Sequence, residues 1–229
     1  MLDVAFPKIV GVLTPGAIEQ DILCATAHPP DVIEYRADLG DRCDTAVITA
    51  HLARIVEALP QPVIFTLRDA REGGGFSGDD ALRMALYRAA LPLVDAVDIE
   101  CCNAQALAAL RDEFKAAFVS AILSYHNFEE TPADPVLDAV IEQAGSAGAD
   151  IIKIAALCRT REDLVRLLAL PLRYDARTLA VVGMGPYGRA VRAVAPVVGS
   201  VLGYASLSNE VAPGQMSVAD LRHVWQIVA

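Results

Sequence analysis

Residues 1–229 read as one α/β domain, a (β/α)8 TIM barrel, on three observations. Eight short apolar runs alternate with eight amphipathic segments of helix length. The runs are almost continuously hydrophobic, as parallel strands covered on both faces are. No long linker, low-complexity tract or shift of composition divides the chain. An open, doubly wound sheet shares the alternation. It usually carries a Gly-rich first turn, and Leu13-Thr14-Pro15-Gly16 has no G-x-G-x-x-G.

The first strand is expected at 9–13, with a helix at about 15–27. The second, 32–37, ends in Glu34-Tyr35-Arg36-Ala37-Asp38 and precedes a helix at 44–58. Alternation puts Glu34, Arg36 and Asp38 on one face, and inward charge is costly in a barrel unless it is paired or functional. The third strand, 63–67, runs into Arg68 and then Asp69-Ala70-Arg71-Glu72-Gly73-Gly74-Gly75. Three glycines there allow either a close backbone approach or a mobile loop with solvated charges. Ser77-Gly78-Asp79-Asp80 marks the start of a helix at 79–92. The fourth strand, 96–99, supplies Asp98 and Glu100 on one face, ahead of a helix at 103–114.

The fifth strand, 118–124, leads to Ser124-Tyr125-His126-Asn127-Phe128, with a helix at 134–147. A lone histidine is commonly a satisfied structural residue, but the C-terminal end of a barrel strand is also where catalysts sit. The sixth, 150–155, holds Lys153 within Ile151-Ile152-Lys153-Ile154-Ala155, followed by a helix at 160–170. An inward lysine among isoleucines is expected to be desolvated and nucleophilic, or else paired with an interior carboxylate such as Glu34 or Glu100. The seventh, 179–182, opens into Gly183-Met184-Gly185-Pro186-Tyr187-Gly188-Arg189-Ala190-Val191-Arg192 and a helix at 186–197. Its glycines could present backbone N–H groups to an anion, and either arginine could hold a carboxylate or simply face solvent. The eighth, 200–205, is followed by Ala212-Pro213-Gly214-Gln215 and a helix at 216–228 begun by Ser217.

Composition narrows the function. With 54% hydrophobic residues a substantial core is available. Net charge is −10 with no basic cluster, which argues against nucleic acid as a partner. No apolar stretch reaches the roughly 18 residues of a transmembrane helix, and no signal-peptide pattern opens the chain, so no membrane association and a cytoplasmic location are expected. Five cysteines without C-x-x-C, and scattered histidines, give no metal site. Lysine is scarce, Lys8, Lys115 and Lys153 being the only ones.

Six of these segments, in order along nearly the whole chain, resemble type I 3-dehydroquinate dehydratase, an imine-forming enzyme of the shikimate pathway and aromatic amino acid biosynthesis. They are Glu34 to Asp38, Phe65 to Arg68 with Glu72-Gly73-Gly74, Ser124 to Phe128, Ile152 to Ala155, Met184-Gly185 through Arg192, and Ala212 to Gln215. The resemblance implies dehydration of 3-dehydroquinate to 3-dehydroshikimate through a Schiff base, with no cofactor, in a homodimer. Lys153 matches the imine-forming lysine, His126 the proton-transfer histidine and Glu72 the acid that orients it. Glu34 and Arg68, supported by Arg36, match contacts to substrate hydroxyls. Met184 matches a pocket wall, and Arg192 and Gln215 match the groups that hold the substrate carboxylate. Two departures stand at that carboxylate end. Val211 and Val191 occupy positions where the family usually has serine, and each removes a polar group. Competing readings are a class I aldolase, which needs a phosphate site after the last strands, and a non-catalytic relative that binds a pathway metabolite.

Overall fold

The computed structural model describes residues 1–41 and 43–228. Its strands are β1 (Lys8–Leu13), β2 (Val32–Arg36), β3 (Val63–Thr66), β4 (Ala96–Glu100), β5 (Ser120–Asn127), β6 (Ile151–Leu157), β7 (Leu179–Met184) and β8 (Leu202–Ser206). The helices are α1 (Ile18–Ala27), α2 (Thr45–Ala58), α3 (Asp80–Ala90), α4 (Ala104–Ala116), α5 (Asp134–Ser146), α6 (Arg161–Arg173), α7 (Gly188–Val194) and α8 (Val218–Val228). Sequential strands pair in parallel from β1 to β7, and β8 pairs with β1. The ring closes between β8 and β7 through the Val201 N–H, which donates to the Leu179 carbonyl at 2.8 Å. The expected barrel is the one observed.

Period-two alternation explains why these runs are apolar on both faces. Outward residues such as Ile33, Phe65, Val97, Leu123, Ile154 and Val181 pack beneath the helices. Inward residues such as Val10, Val32, Ile64, Ala96, Ile122, Ile151 and Leu202 plug the lower interior. At the start of the even-numbered strands a repeated bolt ties each strand to the one before it. Asp31 accepts from the Ile9 N–H (2.8 Å), Asp95 from Val63 (2.9 Å) and Asp150 from Ala121 (2.8 Å), while the Ser200 hydroxyl accepts from Val181 (2.9 Å).

Several boundaries differ from expectation. The fifth strand starts at Ser120, because Phe118 lies in a turn with φ 56° and is 71% exposed. That strand continues to Asn127, so His126 is a strand residue. The sixth helix does not stop at 170 but runs through Pro171 to Arg173. Its start is held by a capping box between Thr160 and Asp163, and the missing N–H of Pro171 falls in its last turn, where little helix remains to be disrupted. The seventh helix is shorter than 186–197, since Pro196 enters a 3-10 turn over Ala195–Val198.

Candidate active site

The inward side chains of alternate strands meet in layers, and one layer is not apolar. Glu34 from β2, Asp98 from β4, Lys153 from β6 and Tyr204 from β8 come together at one level, as barrels build their interiors from alternate strands. The Lys153 ammonium donates to Asp98 Oδ2 at 3.0 Å and to Glu34 Oε1 at 3.4 Å, and stands 3.9 Å from the centre of the Tyr204 ring. Lys153 is 4% exposed. The lysine is buried, and it is paired, with Glu34 a partner as one reading allowed. The flanking isoleucines face outward or down the barrel, and the closer partner is Asp98 where Glu100 was the other candidate.

Above this layer Arg68 forms a buried junction. It donates to Asp98 (2.9 Å), Glu100 (2.9 Å) and the Ser124 hydroxyl (2.6 Å). Burial works against its charge, and Asp98, Glu100 and Glu34 more than offset that, so its pKa is raised. Asp98, in turn, is held far below the usual carboxylate range, Arg68 and Lys153 outweighing its burial. Arg83 from α3 and Asn103 lock the junction from behind by bonding Glu100 and Asp69. Asp38 has left the strand for a 3-10 turn and grips Arg36 through paired bonds of 2.9 and 2.8 Å.

His126 and Glu72 form a dyad. Glu72 Oε2 accepts from the His126 backbone N–H at 2.9 Å and lies 3.0 Å from Nδ1. An oxygen that already accepts from the backbone is best matched by a donor at Nδ1, which leaves Nε2 with its lone pair. Burial depresses the His126 pKa well below 6.5, helped by the charges of Arg68 and Lys153. Burial also raises Glu72, to about 7. The site thus disfavours charge on both members, and the imidazole is neutral at ordinary pH.

The three glycines after β3 serve close approach. A Cβ on Gly74 would lie 2.1 Å from the Arg68 carbonyl oxygen, and one on Gly75 2.2 Å from that of Asp38. Gly73 has φ 75°, a left-handed conformation that glycine adopts without cost.

At the opposite wall, Arg192 is 2% exposed and makes no ion pair among the described residues. One terminal nitrogen donates to the Tyr204 carbonyl at 2.7 Å, while its Nε is buried without a partner. Desolvation lowers its pKa to about 10, so it remains cationic. Arg189, the alternative, is exposed. Gln215 accepts from the Val211 N–H at 2.9 Å, which commits its carbonyl end to the backbone and leaves the NH2 end for a ligand.

In the glycine turn that could have presented N–H groups to an anion, three of these groups meet backbone carbonyls instead. The Gly185 N–H donates to Pro213 O (3.3 Å), Tyr187 to Cys158 O (3.2 Å) and Gly188 to Gly185 O (2.9 Å). Val191 is likewise not at the pocket. It is fully buried beneath Gly183, whose Cβ would fall 2.6 Å from it, so only Val211 of the two departures alters the lining.

A single cavity brings together all nine expected site residues: Lys153, His126, Glu72, Glu34, Arg36, Arg68, Met184, Arg192 and Gln215. Asp98 is a partner of Lys153 that its inward register with Glu100 hints at but does not specify. Tyr204 has the sequence appearance of a core residue. Arg83 and Asn103 carry no local signal, because helix packing alone brings them to the junction. Among the described residues no group of three or more His, Cys, Asp or Glu side chains is placed to hold a metal ion.

The chain is similar to known proteins in sequence and in fold. The family model of Type I 3-dehydroquinase matches residues 11–229. A 3-dehydroquinate dehydratase of Methanococcoides burtonii is 34% identical, covering 97% of this chain and 94% of its own. That of Methanothrix thermoacetophila is 37% identical over 96% and 91%. The crystal structure of 3-dehydroquinate dehydratase from Geobacillus kaustophilus superposes with a TM-score of 0.90 at 29% identity, covering 98% of this chain and 91% of that one.

Proposed function

The chain belongs to the type I 3-dehydroquinase family of hydro-lyases, and from that premise we propose how its own residues remove water from 3-dehydroquinate. Lys153 gives up a proton to the neutral His126, its amine attacks the C3 ketone, and His126 returns that proton to the carbinolamine hydroxyl. The carbinolamine loses water to leave a protonated imine, an electron sink that acidifies the neighbouring C2–H. His126 takes that proton at Nε2, and Glu72 stabilises the imidazolium through Nδ1–H. The electron pair left at C2 is held as an enamine. The same histidine then returns the proton to the C1 hydroxyl, which leaves as water while the double bond forms. Water adds to the imine and releases 3-dehydroshikimate and the free amine, so the net change is loss of one water.

Glu34, Arg36 and Arg68 are assigned to the substrate hydroxyls, and Met184 to the apolar wall. Arg192 and the Gln215 amide are assigned to the carboxylate. One observation supports the reading: a buried lysine amine, a neutral imidazole and a buried arginine with no ion pair among the described residues share one cavity. The N–H groups of Gly185, Tyr187 and Gly188 in the seventh-strand turn are already engaged, which weighs against a sugar-phosphate aldolase. We extend the reading, on family membership alone, to the shikimate pathway of aromatic amino acid biosynthesis in the cytoplasm, and to a homodimer.

The test is an assay of purified protein with 3-dehydroquinate and no added metal. Growth of the absorbance of a conjugated enone is the expected result. Cleavage products would favour an aldolase, and calorimetric binding without turnover would favour a metabolite-binding relative.

A further inference from the structure

We propose that Tyr204 is a further substrate-binding residue, its phenol hydroxyl donating a hydrogen bond to the oxygen on the carbon that Lys153 attacks. The proposal deepens, and rests on, the dehydratase reading above. Tyr204 pairs with Val10 in the β1–β8 ladder, and points inward because its neighbours Gly203 and Ala205 face the helices. A Cβ on Gly203 would lie 2.3 Å from the Trp225 ring, which fixes that alternation and with it the direction of Tyr204.

Tyr204 is 4% exposed, yet its hydroxyl has no hydrogen-bond partner among the described residues. Buried polar groups are nearly always satisfied, so an orphan in a cavity wall points to a ligand that completes it. The nearby carboxylates do not serve. Glu34 Oε1 accepts from Thr66 (2.9 Å) and Lys153, and Asp98 takes Ser124 (2.6 Å), Arg68 and Lys153. Arg192 Nε, on the same wall, is a second orphan, and its guanidinium is braced by the Tyr204 carbonyl. One residue thus steadies the cation for one end of the substrate and presents a hydroxyl at the other.

The ring lies over the Lys153 nitrogen at 3.9 Å, so groups on a carbon bonded to that nitrogen come within reach of the phenol edge. That carbon's oxygen is a carbonyl in the substrate and a hydroxyl in the carbinolamine. Burial keeps the phenol neutral well above its ordinary range, so it donates at any working pH. A donor there polarises the ketone for attack and follows the oxygen as it departs.

The experiment compares wild type with Tyr204→Phe, which removes the hydroxyl and keeps the ring. The expected result is a fall of about 10-fold in kcat/KM and in the single-turnover rate of imine formation. The borohydride-trapped end point should stay complete, and Tm should be unchanged or higher, because the hydroxyl has no partner in the free protein. Rates within two-fold of wild type, or a loss of activity matched by a loss of Tm, would overturn the assignment. Active wild type with an equally active Tyr204→Phe removes the hydroxyl's role alone. Inactive wild type removes the dehydratase reading and this proposal with it.

Discussion

Burial sets the chemistry of the His126–Glu72 dyad. The imidazole is held neutral because its cationic form would be desolvated beside Arg68 and Lys153. Glu72 titrates near 7 because burial penalises its carboxylate. Its folded-state pKa is raised, so the protonated form dominates below that value and the carboxylate appears as pH rises through it. Since the carboxylate supports the imidazolium formed on proton abstraction, kcat/KM is expected to rise with pH through a limb near 7. Glu72→Gln should remove that limb, which a pH–rate profile checks. At the carboxylate end, Arg192→Ala should raise KM or lower kcat/KM by about 10- to 100-fold, as loss of a charge-assisted hydrogen bond does. An unchanged value would move the role elsewhere. His126 was legible as a polar residue at the end of an apolar run, whereas Glu72, in the turn after β3, and Arg192, within α7, were assigned by the family resemblance. Tyr204 was not legible, since an aromatic residue in a strand has the same appearance whether or not its hydroxyl has a partner.

The strands impose the arrangement. Alternation sends every second residue inward, so Glu34, Arg36, Asp98, Glu100, Lys153 and His126 follow from register alone. Loop conformation was less legible. The glycines after β3 allowed either a mobile loop or a close approach, and only the contacts with Arg68 and Asp38 decide it. The turn after β7 carried the composition of an anion site, but its N–H groups meet carbonyls of distant loops, which no local pattern reveals. Below the site, the acids at the feet of β2, β4 and β6 act on stability and not on chemistry. Asp95→Ala loses the bond to the Val63 N–H and should lower stability by about 1 kcal/mol. A fall of a few degrees in Tm with kcat unchanged is the expected outcome, read by thermal denaturation and a parallel assay.

At the scale of the molecule, an acidic chain of net charge −10 holds four cations, Lys153, Arg68, Arg36 and Arg192, around one cavity. Three of them are paired with carboxylates and Arg192 has no ion pair among the described residues, a polarity that agrees with the proposed binding of an anionic substrate with its ketone towards Lys153. Barrel closure makes this possible, since β2, β4, β6 and β8 can meet at one level only in a ring. The proposed imine between Lys153 and a substrate that His126 then dehydrates can be trapped by borohydride added during turnover and read by mass spectrometry. A reduced substrate adduct on Lys153 is expected in wild type. The same adduct is expected in His126→Ala, with turnover reduced by about 10²–10⁴-fold, and none in Lys153→Ala. Turnover of 3-dehydroquinate by wild type with no adduct on Lys153 would contradict the proposed imine.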